Sequence, residues 1–187
     1  MTYKIAIIGG TGRQGRGLAY RWAQVGHEIL IGSRKVEGAL AAVDELRERL
    51  NGEGKLSGMT NAEAVEACDI AVLTVPFEHM RSTLEELKEP LQGKLLINVC
   101  VPLVPPKVTR VQMPPEGSGA LMAQAILGEN ARVVDAFQIV SFERLLSGEP
   151  IETDVLVAGY DKAARKLVIK LSEDIGIKAW DAGVIQN

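Results

Sequence analysis

Cysteine is scarce in this sequence: Cys68 and Cys100 are the only two, each beside an apolar, strand-like run. Two thiols cannot build a disulfide scaffold, and with His27 and His79 they show no metal-ligand spacing. Aromatic residues make up 4% of the chain, too few for a base-stacking platform. No apolar run reaches the ~18–20 residues of a membrane span. A basic surplus is lacking as well: 21 Lys and Arg against 24 Asp and Glu leave a formal charge of −3, with no cationic surface for a nucleic-acid backbone or an anionic membrane. Neither nucleic acid nor membrane is expected as a partner. The sequence opens on a strand-like run rather than a leader, and with two unpaired thiols this makes the cytoplasm the expected location.

What is present is the composition of a globular α/β protein. Apolar residues are 47% and charged residues 24%, and mean hydropathy is +0.09. A chain of 187 residues buries roughly 70% of its unfolded surface and needs no staples, so residues 1–187 are expected to form a single domain. Short β-branched runs predict strands at 4–9, 28–32, 56–59, 69–75, 94–99, 132–139, 155–158 and 177–180. Amphipathic stretches predict helices at 14–25, 36–50, 78–89, 119–127 and 162–175, with a short one from Asn61. Leu18, Trp22 and Val25 share a face of the first helix, Gly26 stops it, and Thr60 and Glu63 stand at capping-box spacing. Pro102, Pro105, Pro106, Pro114 and Pro115 make 102–115 a long, stiff loop of the kind that covers a site. Strand–helix alternation implies a mostly parallel, doubly wound sheet with helices on both faces. Ligands of such sheets lie outside the carboxyl ends of the strands.

After the first strand comes Gly9-Gly10-Thr11-Gly12-Arg13-Gln14-Gly15, in which Gly10, Gly12 and Gly15 satisfy GxGxxG. The first permits a tight turn, the second lets backbone approach a pyrophosphate, and the third allows close helix–strand packing. The fold class expected is therefore a Rossmann-type α/β domain binding a dinucleotide on the amides that open the helix. The second strand ends in Gly32-Ser33-Arg34-Lys35, without the Asp or Glu that would hold a ribose diol. A hydroxyl, a guanidinium and an ammonium suit a 2′-phosphate, so NADP(H) is the expected cofactor. Thr74-Val75-Pro76-Phe77-Glu78-His79 and Val99-Cys100-Val101-Pro102 follow the fourth and fifth strands and should line the nicotinamide end. His79 reads either as a ribose or phosphate contact or as a capping residue. Cys100 has no evident base and reads as a buried structural thiol, Trp22 and Trp180 read as core, and Glu143 and Arg144 either pair or face a substrate.

At these residues the chain resembles the reduced-coenzyme-F420:NADP oxidoreductases. The resemblance rests on IGGTGRQGRGLA, GHEILIGSR, EACDIAVLTVPFEHM, PLVP after the fifth strand, VV-A-F, and a final DAG. The oxidoreductase domain of ferric-iron metalloreductases is similar in the same places, less closely. The resemblance implies hydride transfer between NADP(H) and the 5-deazaflavin of coenzyme F420, by proximity rather than by an acid–base pair. It implies phosphates held from Thr11 to Gln14 and a 2′-phosphate at Ser33 and Arg34. The nicotinamide half would lie along Val75, Pro76, His79, Val99, Cys100 and Val101. Gly38 stands where a further Lys is expected, leaving Lys35 to substitute. After the sixth strand, where relatives show His or Asn in a polar turn, this chain has Gln138, then Ile139, both counted with the cofactor site. Relatives continue past DAG into a helical tail implicated in dimerisation and in covering the deazaflavin. The sequence here stops at Asn187, leaving the electron acceptor and a homodimer as open expectations.

A second reading comes from another class. Gly9, Gly12 and Gly15 also match the GxxGxxG of NADP-sensing regulators of the short-chain-reductase fold, which bind the dinucleotide without turning it over. A catalytic Tyr-x-x-x-Lys is missing: Tyr3, Tyr20 and Tyr160 are followed by Ile7, Gln24 and Ala164. A related reductase using flavin or ferric iron is the remaining alternative.

Overall fold

The structure is a computed structural model that describes residues 1–106 and 109–186. Lys107 and Val108, inside the expected proline-rich loop, and Asn187 lie outside the described residues. The chain runs β1 (Lys4–Ile8), α1 (Arg13–Gln24), β2 (Glu28–Ser33), α2 (Val36–Arg49), β3 (Lys55–Thr60) and α3 (Asn61–Ala67). It continues through β4 (Ile70–Leu73), α4 (Phe77–Glu86), β5 (Leu95–Asn98), α5 (Gly119–Leu127) and β6 (Arg132–Asp135). The last elements are α6 (Phe142–Ser147), β7 (Asp154–Gly159), α7 (Lys162–Asp174) and β8 (Lys178–Gly183). The strands form one sheet in the order β3-β2-β1-β4-β5-β6-β7-β8. β1 to β6 pair in parallel, so the chain winds outward through β2 and β3, crosses back to β4, and winds the other way. This is the doubly wound, Rossmann-type arrangement that the alternating pattern implies.

Alternate residues of each strand face opposite layers. Ile5, Ile7, Ile70, Val72, Leu95 and Ile97 pack with α1, α2 and α7. Ala6, Ile8, Ala71, Leu73 and Leu96 pack with α3, α4 and α5. Both faces are covered, which is why the strands read as continuous apolar runs. The capping box holds: Thr60 Oγ1 accepts from the Glu63 amide, and the Glu63 carboxylate accepts from the Thr60 amide. Trp22 lies in the core and donates from Nε1 to the Leu171 carbonyl at 3.0 Å.

Two expectations are corrected, and two features appear that the sequence reading did not address. β6 stops at Asp135 rather than 139, because Phe137 turns the chain with φ of 70° and buries its ring edge-on against Trp22. The six residues of α6 were given no element in the sequence reading. They form a helix because Gly17 of α1 admits Leu145 closely (a Cβ on Gly17 would lie 2.7 Å from Leu145 Cβ) and Arg21 of α1 caps the far end. Buried Arg21 donates to the carbonyls of Arg144, Leu145 and Glu149 at 2.9, 2.7 and 2.6 Å. β7 pairs antiparallel with β6 before β8 resumes parallel pairing. Trp180 is half exposed instead of core, its indole donating to Asp154 at 2.7 Å beneath the Lys178 ammonium. Among the described residues no helix is long and apolar enough to cross a membrane.

Candidate functional site

The reversal of winding between β1 and β4 opens a groove over their carboxyl ends. Gly9, with φ of 72°, makes the left-handed turn that leaves β1; the sequence reading had assigned that turn to Gly10. Gly10 is required for another reason, since a Cβ there would meet the Ile7 carbonyl at 2.9 Å. Gly15 is required for packing: a Cβ would lie 2.7 Å from Thr74 Oγ1 and 2.9 Å from Gly10 Cα. Gly12 differs from both. A Cβ on Gly12 would find Gly9 O at 3.5 Å and nothing closer, so the fold does not demand glycine; the exposed side is the groove. Gly12 is also the N-cap of α1 and no side chain caps the helix. The opening amides therefore point at the groove as an anion site that a pyrophosphate fits.

One residue the sequence reading passed over, Asn61, and one it placed only along the nicotinamide end, Thr74, hold this loop. Asn61, buried at the start of α3, accepts the Gly9 amide on Oδ1 at 3.2 Å. Thr74 donates its hydroxyl to the Ile8 carbonyl at 2.9 Å. Arg13 and Gln14 offer backbone to the groove while their side chains serve α6 and the turn before it. The Arg13 guanidinium lies 5.2 Å over the Phe142 ring, and Gln14 Nε2 donates to the Val140 carbonyl at 3.0 Å.

One wing of the groove, a cleft of about 760 Å³, is lined by Thr11, Gly12, Ser33, Arg34, Lys35, Glu37, Gly38, Asn61, Val75 and His79 among others. It brings the glycine loop and the end of β2 together. Ser33 Oγ accepts the Lys35 amide at 3.3 Å, shaping the turn. Arg34 and Lys35 are exposed and, among the described residues, form no ion pair. A Cβ on Gly38 would sit 3.5 Å from Thr11 and 3.6 Å from Ser33 Oγ, so this glycine leaves room beside the basic turn. The corner has the hydroxyl, cations and space that a 2′-phosphate fits.

The other wing, about 390 Å³, shares Gly12, Thr74, Val75 and Pro76 with the first and adds Phe77, Val99, Cys100, Val101, Leu103 and Gln138. Its walls are mostly apolar, as a flat, uncharged ring system requires. Leu103 comes from the proline-rich loop, whose described part folds back through a Leu103–Val111 bridge and a Gln112 amide donating to the Pro102 carbonyl at 2.8 Å. Cys100 is buried and its thiol donates to the Val75 carbonyl at 3.1 Å. Burial, reinforced by the Asp135 charge, pushes that thiol's pKa up, so it stays protonated and is no nucleophile. Gln138 donates to the Asn98 carbonyl at 3.0 Å. Ile139 is not brought to this wing: it is exposed and lines a separate hollow with Ser141, Arg144 and residues 149–153. Behind Cys100 and Gln138 lie Asn98 and Asp135, also missed by the sequence reading, joined by a 2.6 Å hydrogen bond.

Residues 4–102 match the family model described as NADP oxidoreductase, coenzyme F420-dependent. The chain is 42% identical to an F420-dependent NADP reductase of Methanocaldococcus jannaschii over 98% of its own length and 85% of that protein's. It is 39% identical to the protein of the same name from Methanothermobacter marburgensis, again over 98% and 85%. A solved structure from Arthrobacter sp. FB24, provisionally named an F420-dependent NADP-reductase, superposes with a TM-score of 0.81 at 25% identity, covering 98% of this chain and 86% of that one. Glycine loop, basic turn and apolar wing thus stand in a chain that belongs to the family of coenzyme F420-dependent NADP oxidoreductases.

Proposed function

We propose that the chain binds NADP(H) along the two-winged groove and passes a hydride between it and the 5-deazaflavin of coenzyme F420. The observation that carries this reading is the continuity of the groove: a basic turn, an uncapped helix start and an apolar wing meet at Gly12 and Thr74–Pro76. When bound, the nicotinamide supplies or receives the hydride at C4 and the deazaflavin ring is its counterpart. The opening amides of α1 hold the pyrophosphate, and Ser33, Arg34 and Lys35 hold the 2′-phosphate. Val75, Pro76, Val99 and Val101 exclude water and fix the ring plane. His79 lines the wing of the basic turn rather than the apolar one. Orientation is the chief demand of hydride transfer between stacked rings, and these residues meet it without an acid–base dyad. Residues 1–187 act as one dinucleotide-binding unit in this reading, with a cytoplasmic homodimer as the expected assembly, checked by sedimentation.

Stopped-flow mixing of the protein and NADPH with excess oxidised coenzyme F420 tests the proposal. Deazaflavin absorbance should decay well above the uncatalysed rate, and faster than with flavin mononucleotide or ferric chelate as acceptor. NADPH demonstrably bound with no decay would overturn it in favour of a non-catalytic sensor.

A further inference from the structure

Behind the apolar wing, Asn98, Asp135 and Gln138 form a polar cluster in an otherwise hydrophobic layer. The Asn98 amide group donates to Asp135 at 2.6 Å and to the Cys100 carbonyl at 3.3 Å, while its oxygen accepts the Cys100 amide at 3.3 Å. Gln138 donates to the Asn98 carbonyl at 3.0 Å and, with Asn98, works against the rise in the Asp135 pKa. Cys100 and Gln138 line the wing, so the Asp135 carboxylate lies one residue behind the wall. Gly119 permits this closeness: a Cβ there would lie 3.3 Å from Cys100 O and 3.5 Å from Asn98 Nδ2.

Among the described residues no cation answers this carboxylate. α5 carries no titratable side chain. Arg165 of α7 is bound to Asp181 and the Gly159 carbonyl, and Arg13 of α1 lies over Phe142. On α4, Arg81 pairs with Glu116 and His79 lines the other wing. On β7, Asp154 accepts from Trp180, and beyond it Asp161 caps α7. The Cys100 thiol, kept protonated, is the titratable group that feels Asp135.

We propose that Asp135 is an electrostatic element of the dinucleotide site, its carboxylate favouring the oxidised, cationic nicotinamide over the reduced, neutral one. The inference rests on the groove reading above. A partly buried charge behind an apolar wall is less screened than one in open water, so it acts on a ring that gains or loses a positive charge in the reaction. The coupling is reciprocal: the cation must make Asp135 more acidic by the same factor that Asp135 tightens the cation. Burial already raises the Asp135 pKa to about 6, within easy reach of titration. Above that pH the carboxylate is ionised and favours NADP⁺; as pH falls through it, the preference is lost.

The test is the ratio of NADPH and NADP⁺ dissociation constants from pH 4.5 to 8, by titration calorimetry. Both dinucleotides carry the same 2′-phosphate, so its own ionisation near pH 6 cancels in the ratio. The preference for NADP⁺ should rise about tenfold with pH, the factor that one pKa unit of coupling gives. It should be flat in Asp135→Asn, which keeps an acceptor oxygen for Asn98. Adenosine 2′,5′-bisphosphate should bind that variant and the parent alike. In the unaltered protein, ¹³C carboxyl NMR should place the Asp135 titration lower with NADP⁺ than with NADPH. A flat parent ratio, an unshifted Asp135 resonance, or a variant that keeps the slope overturns the proposal alone. Failure of both dinucleotides to bind overturns it together with the groove reading.

Discussion

Asn61 Oδ1 accepts the Gly9 amide at 3.2 Å across 52 residues of chain, tying the first turn of α3 to the left-handed residue of the glycine loop. Asn61→Ala should leave that amide without a partner, costing about 1–3 kcal/mol, and weaken NADPH about tenfold through a looser loop. Asn61→Asp keeps an acceptor but sets a negative charge beside the phosphates. It should recover much of the stability while binding NADPH no better than the alanine variant. Thermal melts alongside NADPH titrations check both; an aspartate variant with parental affinity would place the phosphates elsewhere.

Gly12 and Gly15 should respond oppositely to an added side chain. Gly15→Ala drives a Cβ to 2.7 Å from Thr74 Oγ1 and should cost about 1–3 kcal/mol as overpacking. Gly12→Val meets only Gly9 O at 3.5 Å at its Cβ, so the melting temperature should hold while NADPH binding is lost. Unchanged binding by a folded Gly12→Val protein would remove the pyrophosphate from this loop.

Arg34 tests the choice of dinucleotide. A charge-assisted hydrogen bond contributes roughly 1.5–3 kcal/mol, so Arg34→Ala should weaken NADPH about tenfold to a hundredfold and leave NADH nearly unchanged. Parallel calorimetry with both dinucleotides reads the difference, and equal losses for the two would contradict the assignment.

Asp135 gives stability a pH dependence of known sign. Its pKa is raised by burial, against the lowering effect of Asn98 and Gln138, from 3.8 to about 6. The native state therefore holds a proton that the unfolded state releases, and this residue's contribution falls as pH rises from about 4 to 6 and is constant above. Asp135→Asn should thus be stabilised relative to the parent at pH 7.5, by up to about 3 kcal/mol, with the gain vanishing near pH 4. Urea melts of both proteins at the two pH values measure it; a gain that grows toward acid pH would reverse the sign.

The strands, the glycine loop and the Ser33–Lys35 turn were legible because each is written in consecutive residues. The Arg132–Ile139 stretch misled because its apolar run continues past Asp135, whereas the left-handed Phe137, packed on Trp22, breaks the strand. Neither Asn61 nor Asn98 advertises its partner: one reads as the residue after a capping Thr, the other as a strand end. Asp135 drew no reading from the sequence, because only the fold shows that it is partly enclosed against Asn98 and Gln138. The reversal of β7 was invisible for a similar reason, since alternation does not encode strand direction.

The guanidinium of Arg21, spread over the last carbonyls of α6, makes a six-residue helix part of a larger cooperative unit. So short a helix has no stability of its own. Its amides should exchange with deuterium as slowly as those of α1, opening in the same sub-global event rather than with the surrounding loops. Because α1 also offers its opening amides to the dinucleotide, ligand binding should slow exchange in α6, which it does not touch. Arg21→Met should uncouple the two, leaving α6 to exchange as loop while α1 stays protected.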